Sequence, residues 1–169
     1  MVFDPFSLWE IREDLGYRCY EHKITKSRVS LPPHLPQGGI IANDMGLGRT
    51  LTMLSAIVAS LADASHFSTL QYVHQNSISG PLRMRSTLIV VSSAMVLKRW
   101  ITEINKHIRQ NTLRVHTFHG AGRTTDLRTL VESDVVLTTY LTLVSDFSGA
   151  SPVLQNLDRF RLVLDESTR

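Results

Sequence analysis

Apolar and polar positions along this chain follow two periods in turn. Thr87-Leu88-Ile89-Val90-Val91 is a continuous aliphatic and β-branched run, as expected for a strand covered on both faces of a parallel sheet. Ser92 or Ser93 can cap the helix that follows. In that helix Val96, Leu97, Trp100, Ile101, Ile104 and Ile108 fall on one side, while Lys98, Arg99, Glu103 and Lys106 take the other. Trp100 reads as a core anchor. Leu113 to Phe118, Asp134 to Thr138 and Arg161 to Leu164 predict three more strands, and Thr124 to Val131 a short helix. Upstream, Ile40 to Ala42 predicts a short buried strand. Leu51, Leu54, Ile57, Val58 and Leu61 keep helical spacing, so Leu51 to Ala64 predicts a mostly buried helix.

Three stretches carry no such period. Residues 1–37 read as an irregular lead-in segment. Phe6, Leu8 and Trp9 form an apolar knot, Lys23, Lys26 and Arg28 a solvated basic stretch, and Pro32, Pro33 and Pro36 break any regular element. Residues 65–86 mix Ser, His, Gln, Asn, Gly and Pro, and read as an exposed insertion. Residues 146–156 read as a polar loop with Gly149 and Pro152. The predicted organisation is the lead-in followed by one lobe over 38–169.

Strand and helix alternate through that lobe, which predicts an α/β fold with right-handed crossovers and a parallel sheet with helices on both faces. Ligands of such sheets bind at the carboxyl ends of the strands. The loop after Ala42, Ser92-Ser93, His119-Gly120, Thr138-Thr139 and Asp165-Glu166 all fall at those ends.

The loop is Asn43-Asp44-Met45-Gly46-Leu47-Gly48-Arg49-Thr50. A Gly-x-Gly alone is an ordinary turn before a helix. Here it stands between a predicted strand and a helix, the context of a phosphate-binding loop. Glycines let backbone N–H groups close around phosphate oxygens. Thr50 sits where such loops place the hydroxyl that holds Mg²⁺, and Arg49 stands where they carry lysine. Asp165-Glu166 follows four residues of predicted strand. Asp165 can hold a Mg²⁺-bound water and Glu166 can polarise an attacking water, the two needs of phosphoryl transfer.

Composition narrows the rest. The 169 residues suit one domain, and 43% hydrophobic residues suffice for a core. The single cysteine, Cys19, excludes an intrachain disulfide and fits a reducing compartment. Cys19 and His22 lack a second ligand pair, which argues against zinc. His116 and His119 have a spacing that places them on opposite faces of a strand, which argues against shared metal ligation. The N-terminus lacks the basic and apolar regions of a signal peptide, and no apolar run is long enough to span a bilayer. A net charge of +3, spread over the chain, is weak evidence for nucleic acid.

Gly38 to Thr50 resembles motif I of the Swi/Snf-like ATPases of helicase superfamily two. Thr87 to Trp100, with Glu103-Ile104, resembles the motif Ia region. Val135 to Tyr140 resembles motif Ib, and Leu162 to Glu166 motif II. Phe6-Ser7-Leu8-Trp9 and Tyr20 to Thr25 are similar to the lead-in of the fungal branch related to DNA-repair translocases and helicase-like transcription factors. The resemblance implies the first of two RecA-like lobes of an ATP-driven motor on double-stranded DNA or nucleosomes, acting in the nucleus in chromatin remodelling or repair. It implies that Asp44, Met45, Gly46, Leu47, Gly48, Arg49 and Thr50 bind ATP. Thr50 and Asp165 would hold Mg²⁺, and Asp165 and Glu166 would be catalytic. Ser93, Thr138 and Thr139 would lie near the DNA backbone. Several positions depart from the family pattern. Arg49 replaces the motif I lysine, Ser92 stands where proline is frequent, and Ser167-Thr168 replaces the usual small residue and histidine. The chain stops before motif III and the second lobe. These departures predict a fragment or degenerate copy with impaired hydrolysis. The other reading is a non-enzymatic DNA- or partner-binding module.

Overall fold

The computed structural model describes residues 8–14, 16–31, 33, 38–44, 46–73, 82–124, 126–149 and 152–166. The chain divides into two compact units, residues 1–42 and 43–169.

The first unit is not irregular. Strands β1 (Trp9–Asp14), β2 (Tyr17–His22) and β3 (Arg28–Val29) form an antiparallel sheet in the order β1-β2-β3. Gly16, at φ 82°, sits in the tight turn between β1 and β2, a conformation that a Cβ would strain. Trp9 lies opposite His22, and their rings meet edge-on with centroids 4.9 Å apart. Nor are the basic residues simply solvated. Glu21 is buried on β2, its carboxylate accepts from Arg28 Nε at 2.7 Å, and Arg12 Nη2 and Lys26 Nζ stand 3.7 and 4.0 Å away. The Arg28 hydrogen bond holds the Glu21 carboxyl below its ordinary range. Pairing partners rather than hydrophobic alternation stabilise this sheet, so periodicity did not predict it. Phe6 lies outside the described residues. Ile40 to Ala42 is not a strand: it runs as coil, with Ile40 94% exposed. Three apolar residues between Gly39 and Asn43 become a strand only if a ladder satisfies their backbone groups, and none pairs with them among the described residues.

The second unit is an α/β layer structure. Its elements run α1 (Arg49–Ala59), α2 (Leu61–Val73), β4 (Leu82–Val91), α3 (Ala94–His107), β5 (Val115–Thr117), α4 (Leu127–Glu132), β6 (Val135–Thr139), α5 (Tyr140–Phe147), a short 3₁₀ turn over Leu154–Asn156, and β7 (Leu157–Leu164). The four strands are all parallel, in the order β5-β6-β4-β7. Successive strand residues point to opposite faces, and two cores result. Ile89, Val91, Val135 and Leu137 pack with Leu54 and Ile57 of α1 and Leu97, Trp100 and Ile104 of α3. On the other face Leu88, Val90 and Val136 pack with Met84, Phe118, Leu130, Leu154 and Leu157. The sheet is thus covered on both sides, the architecture of a RecA-like lobe.

Of the segment read as an exposed insertion, 65–86, residues 74–81 lie outside the described residues; α2 takes the part before them and β4 the part after, with Met84 and Ser86 buried. Among the described side chains of α2, Ala64 is buried and Leu61, Ser65, Phe67 and Ser68 are half-buried, the Phe67 ring standing 5.8 Å from that of Phe160. Ser60 ends α1 and its hydroxyl donates to the Ala56 carbonyl at 2.7 Å, so the single predicted helix becomes two. At 146–156, α5 runs to Phe147, and the buried Asp146 accepts from the Val153 and Leu154 N–H groups at 3.1 and 2.8 Å. That carboxylate orders a loop that looks structureless in sequence.

Candidate functional site

The loop into α1 is defined by two left-handed glycines, Gly46 at φ 85° and Gly48 at φ 79°. A Cβ built on either meets nothing within 4 Å. Glycine is therefore required here by backbone conformation, and the space around the loop is open. The Leu47 N–H donates to the Asp44 carbonyl at 3.3 Å, closing the turn. Gly48 caps α1 without a side-chain acceptor, and the Thr52 N–H makes the first bond, to the Gly48 carbonyl, at 2.9 Å. The N–H groups of Arg49, Thr50 and Leu51 precede that bond and have no intrahelical acceptor. Unpaired donors at the positive end of a helix dipole attract an anion. Among the described residues the Thr50 hydroxyl has no hydrogen-bond partner, and Asp44 and Leu47 are exposed. Met45 lies outside the described residues.

Asp165 directly follows β7. Its N–H donates to the Val90 carbonyl at 2.9 Å, extending the parallel ladder by one residue. Its Oδ2 accepts from Trp100 Nε1 at 2.8 Å, and its carbonyl accepts from the Tyr140 hydroxyl at 3.2 Å. Burial, and then the negative charge of Asp165, raises the Tyr140 phenol above its ordinary value, so it stays a donor through the neutral range. Glu166 is exposed at φ 53°. That conformation is uncommon outside glycine and asparagine.

Two contacts relate the loop to the acidic end. Leu54, one turn beyond Thr50, shares a core cluster with Trp100, and Val163 of β7 packs on that cluster. At the other end of α1, Arg161 Nη2 donates to Ser60 Oγ at 2.7 Å. Helix α1 is thus tied to the sheet layer at Leu54 and at Ser60.

The three hydroxyls expected near DNA differ among themselves. Ser93 is exposed and caps α3, accepting from the Val96 N–H at 3.4 Å. Thr138 and Thr139 are buried instead. Thr139 Oγ1 caps α5, accepting from the Thr142 N–H at 3.2 Å, and lies 2.9 Å from the Thr142 hydroxyl. Thr138 Oγ1 is buried without a hydrogen-bond partner. As strand β6 is central, both side chains face packed layers rather than a solvent surface. His119 joins the Thr139 cap, its Nδ1 standing 2.9 Å from Thr142 Oγ1.

A family profile, the SNF2-related domain, matches residues 19–169. The chain belongs to the SNF2-related family. It is 29% identical over 174 residues to an Arabidopsis thaliana SWI/SNF-related matrix-associated actin-dependent regulator of chromatin, subfamily A member 3-like 1, covering 85% of this chain and 20% of the relative. It is 32% identical over 150 residues to transcription termination factor 2 of Drosophila melanogaster, covering 79% and 14%. It is 30% identical over 148 residues to the DNA repair protein rad5 of Aspergillus fumigatus, covering 77% and 12%. The chain therefore spans a fifth or less of the length of these relatives. The residues that hold the acidic end of this SNF2-related lobe, Trp100 and Tyr140, were not legible as such in the sequence. One signal was available: a buried indole N–H needs an acceptor, and an acidic strand end supplies one. Among the described residues no helix is long and apolar enough to cross a membrane.

Proposed function

We propose that this chain is the ATP-binding first lobe of a SNF2-related DNA translocase of the nucleus, with a nucleotide site weakened by Arg49. The observation that carries the proposal is the loop of two left-handed glycines in open space, leading into a helix whose first N–H groups have no intrahelical acceptor. Gly46, Gly48 and the amides that follow would hold phosphate oxygens, with Asp44, Met45 and Leu47 forming the rest of the loop. Thr50 and Asp165 suit Mg²⁺: a hydroxyl and a carboxylate oxygen that have no partner among the described residues are hard oxygen donors. When bound, the ion would neutralise charge on the phosphates. Glu166, exposed at the chain turn, would accept a proton from water. Arg49 keeps a positive charge but carries it on a broad planar fork, where a compact ammonium suits the cradle better.

Duplex DNA is the proposed polymer substrate, whether free or in nucleosomes. Support comes from the family and from the matched chromatin and repair proteins. Ser93 and the N-terminus of α3 offer donors to phosphate rather than to base edges, so binding would be independent of sequence and steeply salt-sensitive.

The test is steady-state phosphate release from the wild-type chain, Arg49→Lys and Glu166→Gln, each with and without duplex DNA. In this family ATP sits between two lobes, and these residues correspond to one. The expected result is no DNA-stimulated release above background from the 169-residue chain. Release that DNA stimulates and Glu166→Gln abolishes would overturn the weakened-site reading.

A further inference from the structure

We infer that Trp100 is a positioning residue for Asp165: its indole N–H occupies one carboxylate oxygen and so fixes which oxygen is presented to a divalent cation. The inference rests on the proposed nucleotide site. Three elements hold Asp165, each by a different group. Strand β4 takes its N–H through the Val90 carbonyl at 2.9 Å. Helix α5 holds its carbonyl through the Tyr140 hydroxyl at 3.2 Å. Helix α3 holds Oδ2 through Trp100 Nε1 at 2.8 Å. Among the described residues only Oδ1 is left without a partner.

The indole can perform this task because it cannot move. Trp100 is 4% exposed and packs among Leu54, Ile57, Val91, Leu97 and Ile104. Close packing leaves a large ring a single rotamer. An indole N–H only donates, so the pair has one polarity, with the carboxylate as acceptor. A carboxylate fixed in rotation offers a cation one oxygen in one direction, whereas a free one loses rotamer entropy when the cation binds. Hydrogen bonds from outside the ligand set typically contribute ten- to a hundredfold to metal affinity. Helix α3 thus links its core face to the chemistry at the end of β7. Tyr140 supports the same residue through the backbone.

The experiment uses the full chain with Mn²⁺ as the probe and ATP as nucleotide. The sequence holds two tryptophans, Trp9 and Trp100. In a ¹⁵N-labelled sample their indole signals are assigned with Trp9→Phe. Adding Mn²⁺ with ATP is expected to broaden the Trp100 indole signal. In the Trp9→Phe background, replacing the remaining tryptophan by benzothienylalanine keeps ring size and removes the donor. Mn²⁺ affinity in the presence of ATP is then expected to fall about tenfold, with metal-free ATP affinity unchanged. Trp100→Phe is expected to do the same, and fluorotryptophan, which keeps the N–H, to retain wild-type affinity. Unchanged Mn²⁺ affinity in the benzothienylalanine protein, or an unbroadened Trp100 signal at saturating Mn-ATP, would overturn the inference. ATP binding with no metal dependence in the wild type would overturn it and leave the nucleotide site standing. No ATP binding at all would overturn both.

Discussion

Arg161 of β7 reaches Ser60, the residue that ends α1, with Nη2 donating to Oγ at 2.7 Å. The guanidinium lies partly buried over the Phe160 ring, its Nη1 has no hydrogen-bond partner, and burial pushes its pKa down. Without Ser60 Oγ the partly buried guanidinium loses an acceptor, whereas without Arg161 the Ser60 hydroxyl still donates to the Ala56 carbonyl. Ser60→Ala is therefore expected to destabilise the chain by about 1 kcal/mol, and Arg161→Met to cost less than that. Urea unfolding followed by far-UV circular dichroism ranks the two, and a reversed order would show that the cation stabilises the fold.

The loop makes a conformational prediction. At φ 79° and with open space around it, Gly48 resists substitution through backbone strain alone. Gly48→Ala is expected to cost about 1–2 kcal/mol and to weaken ATP binding. Gly122→Ala also meets open space, at an ordinary φ, and is expected to stay within about 0.5 kcal/mol of wild type. Thermal unfolding of both variants checks this. Equal costs would remove the reason for a glycine at position 48.

Glu21 sets the acid response of the N-terminal sheet. The Arg28 hydrogen bond first, and the nearby positive charges after it, lower its folded pKa. A lowered carboxyl pKa gives stability that is present above the unfolded value and is lost as pH falls through the folded one. Amide exchange in β2 is thus expected to speed up as pH drops below about 4.5, relative to the intrinsic rate. Glu21→Gln should exchange faster than wild type at neutral pH and show no such step. A wild-type profile that is flat in acid would contradict the assignment.

What could be read in the sequence was whatever large side chains announced. Leu88 to Val91 fill both cores of the sheet, and Leu97, Trp100 and Ile104 cover one of them, as their spacing predicts. The part of helix α2 beyond Ala64 escaped because half-buried Ser65 and Ser68 carry little hydrophobic signal beside Phe67. The hairpin β1-β2 escaped because ion pairs at Glu21 and strand pairing define it. Ile40 to Ala42 shows the reverse error, an apolar run with no ladder to join among the described residues. At the site, glycine spacing and the Asp165-Glu166 pair were visible, since each is local. The Trp100 hydrogen bond spans 65 residues of sequence and only the fold reveals it. The burial of Thr138 and Thr139 was not legible either, because a strand end in sequence says nothing about which layers cover it.

The central claim is a nucleotide site weakened at Arg49. Titration of a fluorescent ATP analogue, with and without Mg²⁺, into wild type, Arg49→Lys and Asp165→Asn tests it most directly. Mg²⁺-dependent binding by the wild type is expected, with Kd weaker than about 1 µM. Tighter binding is expected of Arg49→Lys, and loss of the Mg²⁺ dependence of Asp165→Asn. Submicromolar binding by the wild type that Arg49→Lys does not improve, or the absence of binding in all three, would contradict it.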